Sequence, residues 1–171
     1  MNQDSVITNE MRAAIGVESE PSIREVEKGA IRRFADAIGD PNPLYHDEEH
    51  AAKSKYGAII CPPSFFGWVV RSARPTRTFQ SPFTRGYNGG NEYEFFKPIK
   101  AGDVLTTTSK IVDMYERQGG PQTGRMLFTV METTFKNQDG EIVAKSRGTG
   151  ISYEGPRQVE TPPMESGRLG A

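Results

Sequence analysis

Two patterns of hydrophobic residues follow each other along this chain of 171 residues, a helical pattern first and a strand pattern afterwards. After a short stretch at residues 22–26 that predicts a first strand, apolar residues recur at the i, i+3, i+4, i+7 spacing of an amphipathic helix. These apolar positions are Ile31, Phe34, Ala35 and Ile38. Gly39 predicts the end of the helix, since glycine readily adopts the left-handed C-cap conformation. A second short helix is predicted over residues 48–55, with Asp47 as its N-cap.

A third helix is predicted to begin at P-P-S, residues 62–64, and to be of a different kind. The residues that follow are almost all apolar up to Arg71, and they include Phe65, Phe66 and Trp68. Proline is tolerated in the first turn of a helix, whose amide hydrogens have no intrahelical partners. Because a helix that is apolar nearly all round has no face for solvent, we predict that it is buried at the centre of the fold.

The second half of the chain predicts strands. Their segments are an alternating run from Asn91 to Phe95 and apolar or β-branched runs at residues 104–112, 126–135 and 142–151. Residues 137–140 predict a tight turn between the last two strands, and Gly89 with Gly90 predicts a bend where the first one begins. A buried helix followed by long antiparallel strands is arranged most economically as a curved sheet that wraps the helix. We therefore predict an α+β hot-dog fold.

Length and composition favour a single domain. A chain of 171 residues is long enough for one ordinary core but not for two. The polar, acidic start and the end rich in proline and glycine predict an N-terminal extension over residues 1–21 and a C-terminal tail over residues 154–171. The hot-dog domain is predicted to occupy residues 22–153.

Charge and hydropathy argue against several classes of function. The 21 basic and 22 acidic residues give a formal net charge of −1, so no general field attracts nucleic acid or an anionic membrane. No apolar run approaches the ~18–20 residues of a membrane span, and the start of the chain lacks a leader pattern. We therefore expect a cytoplasmic protein that binds neither nucleic acid nor membrane. Cys61 is the only cysteine, so we expect a buried thiol, no internal disulfide and no cysteine-based metal cluster.

The candidate chemistry lies in the segment G-D-P-N-P-L-Y-H-D, residues 39–47, which contains one of the 2 histidines of the chain. Pro41 and Pro43 fix their own φ angles and keep the residues before them out of helical conformations. The loop therefore has few available shapes, and its side chains have defined directions. A carboxylate and an imidazole aimed at one point can hold and deprotonate a water molecule. Asp40 and His46 are therefore candidate catalytic residues.

Three segments resemble the MaoC-like (R)-specific hydratase/dehydratase family, and more narrowly its N-terminal-type branch. They are residues 39–46, the run Y-G-A-I-I-C-P-P-S-F at 56–65 and the run P-I-K-A-G-D at 98–103. The resemblance extends over residues 22–152. It implies an enzyme that adds water to, or removes it from, an acyl thioester carried by coenzyme A or acyl carrier protein. The carrier is then part of the substrate, and no metal or redox cofactor is implied.

The resemblance also implies roles for individual residues. Asp40 and His46 would hold the water, and Asn42 would orient the loop. The backbone near Ser64, where the central helix begins, would stabilise negative charge on the thioester oxygen. The candidate substrate-binding residues are Asn42, Ser64, Phe65, Gly89 and Gly90.

Two departures from the family pattern leave an alternative open. The catalytic branch has the order Asp-x-Asn-Pro-x-His, whereas here Tyr45 takes the place of the histidine and His46 follows one residue later. The catalytic branch also commonly has His-Gly where this chain has Pro62 and Pro63, and proline has no amide hydrogen to donate. The alternative is a non-catalytic acyl-binding subunit whose hot-dog partner carries the catalytic pair.

Other interpretations also stay open. Hot-dog proteins usually pair, so a homodimer or a heterodimer with another hot-dog subunit is expected. A thioesterase shares the fold, but this chain has the hydratase loop instead of a carboxylate on the central helix. Asp40 could cap a turn, Asn42 could brace the loop, and His46 could be a surface histidine. The arginines after the central helix could be solvated or could bind phosphates or an acidic carrier; they are Arg71, Arg74, Arg77 and Arg85.

Overall fold

The computed structural model of this chain describes residues 5–69 and 79–156, with the backbone alone described for residues 67–69. Its strands are β1 Ser22–Glu25, β2 Arg85–Phe95, β3 Val104–Gln118, β4 Arg125–Lys136 and β5 Ile142–Tyr153. They form one antiparallel sheet in the order β1-β3-β4-β5-β2. The strand predictions are confirmed, although β2 begins at Arg85, earlier than the predicted Asn91.

The central helix is confirmed, and the sheet curves around it. The helices are α1 Asn9–Ala13, α2 Lys28–Ile38, α3 Pro43–His46, α4 Glu48–Lys53 and α5 Pro63–Val69. Phe66 of α5 is 1% exposed and packs edge-on against Phe135 of β4 and Phe95 of β2, with ring centroids 4.5 and 5.3 Å apart. This arrangement is the predicted α+β hot-dog fold. The side chain of Trp68 and all of Val70 lie outside the described residues.

The ends of α2 and α4 follow the capping rules. Gly39 ends α2 in the left-handed conformation with φ of 67°, as predicted. Asp47 begins α4 by accepting a hydrogen bond from the His50 amide at 2.9 Å. The apolar positions predicted for α2 are buried or half-buried, except for Ile38, which is 53% exposed. Ile38 is the last residue of α2, next to the Gly39 turn, and lies beyond the part of the helix that the core covers.

The N-terminal segment, residues 5–19, packs on the sheet, whereas the sequence predicted a peripheral extension. Met11 of α1 is 1% exposed and belongs to a buried cluster with Ile111, Met114 and Leu127. A backbone hydrogen bond also attaches the segment to β3, since the Gly16 amide donates to the Ile111 carbonyl at 2.8 Å. The difference arises because the few buried residues of this segment, such as Met11 and Ala14, follow no helical or strand period.

Glu116 of β3 holds the start of this segment. Its carboxylate accepts hydrogen bonds from the Ser5 hydroxyl and from the amides of Val6 and Ile7. Burial opposes the charge of this carboxylate, but the hydrogen bonds outweigh burial and lower the pKa of Glu116 below its usual value. The charged form of Glu116 therefore favours the docked N-terminal segment.

The edge strand β2 contains the predicted bend as a bulge. Its pairing with β5 shifts between Asn88 and Gly90. A Cβ atom on Gly89 would come within 2.8 Å of the Ile151 side chain, so the close strand approach requires glycine there. Gly140 ends the predicted turn between β4 and β5 with φ of 77°. No helix among the described residues is long and apolar enough to cross a membrane.

Candidate functional site

The loop between α2 and α4 is braced by its own side chains. Asp40 Oδ1 accepts a hydrogen bond from the Asn42 amide at 3.0 Å. Asn42 is the N-cap of α3, and its Oδ1 accepts from the Leu44 amide at 3.1 Å. Pro43 occupies the first position of α3, where a missing amide hydrogen costs nothing. The loop is therefore rigid, and Asp40 and Asn42 both have the bracing role that the sequence left open.

The imidazole of His46 is bound on two sides by this chain. Its Nε2 lies 2.7 Å from the Asp40 carbonyl oxygen, and because a carbonyl can only accept, Nε2 carries the hydrogen. Its Nδ1 lies 3.6 Å from Asp36 Oδ1, a contact that becomes an ion pair when the ring is protonated. Arg32 fixes the same residue by donating to the His46 carbonyl at 3.1 Å. Both ring nitrogens are therefore already in contact with this chain's own oxygen atoms.

Asp40 and His46 line one depression on the surface of the loop, with a volume of about 520 Å³. Asp36 and Asp47 also line it, whereas no residue of α5 does. The two candidate catalytic residues therefore share a space. The start of the central helix does not face that space.

Tyr45 points to a different side of α3 and packs against the main hydrophobic core. Burial and the nearby negative charge of Asp40 raise the pKa of Tyr45, while a hydrogen bond with the Asn42 side chain acts against them. The phenol therefore keeps its proton at neutral pH. Burial also raises the pKa of the neighbouring Cys61 thiol to about 12. The position that holds a histidine in the catalytic branch thus holds a neutral hydroxyl group.

The start of α5 offers few free amide hydrogens. Pro62 and Pro63 have none, and the Phe65 amide donates to the Pro62 carbonyl at 3.0 Å. Ser64 is exposed. The Phe65 ring stacks on Phe34 of α2, with centroids 4.4 Å apart, so it fastens α5 to α2.

An apolar cavity of about 290 Å³ lies beside the start of α5. Its lining residues are Tyr56, Ile60, Cys61, Pro63, Phe66, Phe95, Phe96, Lys97, Pro98 and Ile99. The cavity and Tyr45 border the same core, because Cys61, Phe66 and Ile99 of the cavity wall belong to the cluster against which Tyr45 packs. Its volume is near the lower end of the range for small-molecule sites. Ser64 and Phe65 do not line it.

Sequence reasoning missed most of the cavity wall. One available signal was the doublet Phe95 and Phe96, which breaks the alternation of β2 just before the P-I-K-A-G-D motif. Gly89 and Gly90 lie at the bulge of β2 and do not line the cavity, so their binding role stays a prediction. Of the four arginines, Arg85 is exposed at the start of β2, and the other three lie outside the described residues. Within the described ranges, no three His, Cys, Asp or Glu side chains converge to hold a metal ion.

Solved structures resemble this chain in fold. The 3R-hydroxyacyl-ACP dehydratase HadBC complex of Mycobacterium tuberculosis, truncated at its C terminus, matches with a TM-score of 0.68 and 25% identity, over 81% of this chain and 97% of the matched one. The (R)-hydratase PhaJ1 of Pseudomonas aeruginosa matches with a TM-score of 0.59 and 20% identity, over 90% of this chain and 92% of that one. The second likeness, at this low identity, supports the fold alone.

Sequence relatives and a family profile point the same way. A UPF0336 protein of Thermobifida fusca is 36% identical over 58% of this chain and 68% of its own length. A probable enoyl-CoA hydratase alpha subunit of Thermomonospora curvata is 25% identical over 76% of this chain but only 45% of its own length. The profile of the family described as "FAS1-like, dehydratase domain region" matches residues 13–146. This chain therefore belongs to the FAS1-like dehydratase-region family, within the MaoC-like hot-dog proteins that its motifs resemble.

Proposed function

We propose that this protein is the acyl-binding subunit of a hydratase/dehydratase that acts on an acyl thioester. A second hot-dog subunit then supplies the catalytic carboxylate and imidazole. The observation that carries this proposal is the orientation of His46. Its ring contacts the Asp40 carbonyl and Asp36, while Tyr45 occupies the side that faces the core.

The cavity beside α5 supports binding of an acyl group. Its walls include Phe66, Phe95 and Ile99, which offer apolar surface, and the neighbouring Tyr45 and Cys61 are both neutral at pH 7. An uncharged acyl chain can enter such a space without leaving a buried charge unpaired, and burial of its methylene groups favours binding.

The edge strand β2 supports pairing with another subunit. All 11 of its residues are exposed, and within residues 5–69 and 79–156 the sheet order places no strand on its outer side. Tyr87 and Tyr93 are among the exposed large side chains there. A long, exposed edge with aromatic residues is a template for a further strand. The HadBC likeness is consistent with such pairing, since that protein is described as a complex.

The test is hydration of crotonyl-coenzyme A, followed by loss of the absorbance of the conjugated thioester. We expect the full chain to be inactive alone and active together with the hot-dog subunit that co-purifies with it. Asp40→Asn in this subunit should leave the complex active. If the protein alone turns over crotonyl-coenzyme A and Asp40→Asn lowers that rate by about 10²–10⁴-fold, the loss expected for a general acid–base residue, the proposal is wrong.

A self-contained hydratase is the second candidate. The observation that favours it is the shared depression of Asp40 and His46, which could hold a water molecule between the two side chains. The same assay separates the two candidates, because only a self-contained enzyme is active without a second subunit.

A further inference from the structure

A second groove, of about 300 Å³, adjoins the apolar cavity and shares Tyr56, Lys97 and Pro98 with it. Lys55 and Lys100 line the groove but not the cavity. The two spaces therefore adjoin along these residues; the cavity is apolar beside α5, and the groove carries the lysines.

Backbone hydrogen bonds join the two chain segments that line the groove and the cavity. The Cys61 amide donates to the Ile99 carbonyl at 2.7 Å, and the Ala101 amide donates to the Ile59 carbonyl at 2.9 Å. These bonds hold the segment that follows Lys55 against the segment that contains Lys100. The position of the lysines is thus set by the fold and not by flexible loops.

Acidic residues in the groove are largely satisfied within the chain. Glu141 forms an ion pair with Lys97 at 2.5 Å, and this hydrogen bond lowers the pKa of Glu141. The two oxygens of Asp103 accept from the Lys100 amide at 2.8 Å and from the Gln138 side chain at 3.3 Å. Asp139 is the third acid, so the groove has three acids beside its three lysines, and its attraction for an anion rests on the amines of Lys55 and Lys100 and not on a net positive charge.

The amino groups of Lys55 and Lys100 are available for an anion. Among the described residues, neither forms an ion pair with a carboxylate within 4.0 Å. Lys55 Nζ lies 5.0 Å from the centroid of the Tyr56 ring, a cation–π contact that holds the amine at the boundary between groove and cavity. Tyr56 lines both spaces, so this amine lies beside the wall that they share.

We propose that Lys55 and Lys100 bind the phosphate of the 4′-phosphopantetheine arm that carries the acyl group. This inference rests on the proposed function. The arm is uncharged between its phosphate and its thioester, and the two adjoining spaces offer matching surfaces, with lysine amines in the groove and apolar walls in the cavity. Lysine binds phosphate as a point charge without a demand for a fixed fork geometry. Coenzyme A and acyl carrier protein share this phosphate, so the lysines recognise what the two carriers have in common.

The test compares three ligands on the full chain in complex with its co-purified subunit: crotonyl-coenzyme A, crotonyl-phosphopantetheine and crotonyl-pantetheine, which lacks the phosphate. Each ligand is first brought to its hydration equilibrium with a trace of the wild-type complex, so that turnover adds no heat. Calorimetry then measures its apparent dissociation constant for the wild type and for the double variant Lys55→Ala/Lys100→Ala. We expect the variant to bind both phosphorylated ligands about three- to thirty-fold more weakly, as for two exposed charge contacts. Binding of crotonyl-pantetheine should change less than about two-fold. Competition by 3′,5′-ADP against crotonyl-coenzyme A shows whether the nucleotide part adds to the site.

Lys110→Ala is the matched control, because Lys110 lies on β3, lines neither the groove nor the cavity and should affect none of the ligands. Equal weakening of all three ligands, or no weakening of the phosphorylated pair, overturns the lysine site while the acyl-binding function stands. The site is also overturned if crotonyl-phosphopantetheine behaves like crotonyl-pantetheine, since the recognised phosphate would then belong to the nucleotide. If the wild-type complex binds no thioester, both the site and the proposed function are wrong.

Discussion

Tyr45 and His46 are adjacent in the chain, but α3 turns their side chains in different directions. Successive residues on a helix are about 100° apart around its axis. A shift of one residue therefore decides whether an imidazole faces the core, as Tyr45 does, or lies against Asp36 on the surface. The same amino acids in a slightly different order have a different chemistry, and this is why the presence of a histidine near Asp40 does not establish a catalytic pair.

Gly39 provides a residue-scale prediction. It has φ of 67°, and a Cβ atom added there would have no other atom within 4 Å, so Gly39→Ala introduces conformational strain without a clash. We expect a loss of about 1–2 kcal/mol in the free energy of unfolding, measured by denaturant titration. Gly120→Ala is the control, because that site is equally open but lacks the left-handed φ. Equal losses at the two sites would contradict the conformational explanation.

At the scale of elements, periodic segments were predictable and single contacts were not. Helix α2 and strands β3 to β5 each repeat apolar residues often enough for the pattern to identify them. The docking of residues 5–19 depends on Met11 and on hydrogen bonds to Glu116, and neither produces a periodic signal. The cavity likewise depends on residues that are distant in the sequence, since Tyr56 and Phe95 line it together only in the folded chain.

Glu116 makes the docking of the N-terminal segment dependent on pH. Its pKa is lowered in the folded protein, so its contribution to stability is complete above the usual glutamate pKa of ~4.3 and is lost as pH falls through the lowered value. We expect Glu116→Gln to lower the free energy of unfolding by about 1 kcal/mol at pH 7, with a smaller difference near pH 3. Denaturant titrations at both pH values measure this. A difference that does not vary with pH would show that charge is not the cause.

At the scale of the whole molecule, the two sheet edges are unequal. Strand β1 has 4 residues, whereas β2 has 11, all of them exposed. Short edges resist the addition of another strand, and long ones invite it. The asymmetry favours β2 over β1 as the edge for the proposed pairing with a second subunit.

A substitution on each edge tests this asymmetry. Tyr87 of β2 is 50% exposed and Ile23 of β1 is 66% exposed. We expect Tyr87→Lys to shift the assembly towards the monomer, because a lysine on an edge strand opposes pairing. Ile23→Lys, the matched control, should leave the assembly unchanged. Sedimentation velocity measures both, and dissociation by the Ile23 variant alone would assign the interface to the other edge.

The labelling rate of Cys61 can measure how accessible the cavity wall is in the folded protein. Cys61 is the only thiol in the chain, it is buried in the cavity wall, and burial raises its pKa to about 12. A thiol-specific reagent needs the thiolate and access to it, so it can react only when it enters the cavity or when the wall beside α5 opens. The rate of labelling in native buffer therefore reports how accessible this cavity is. A ligand that fills the cavity should slow that rate, which would reveal occupancy even in the absence of any turnover.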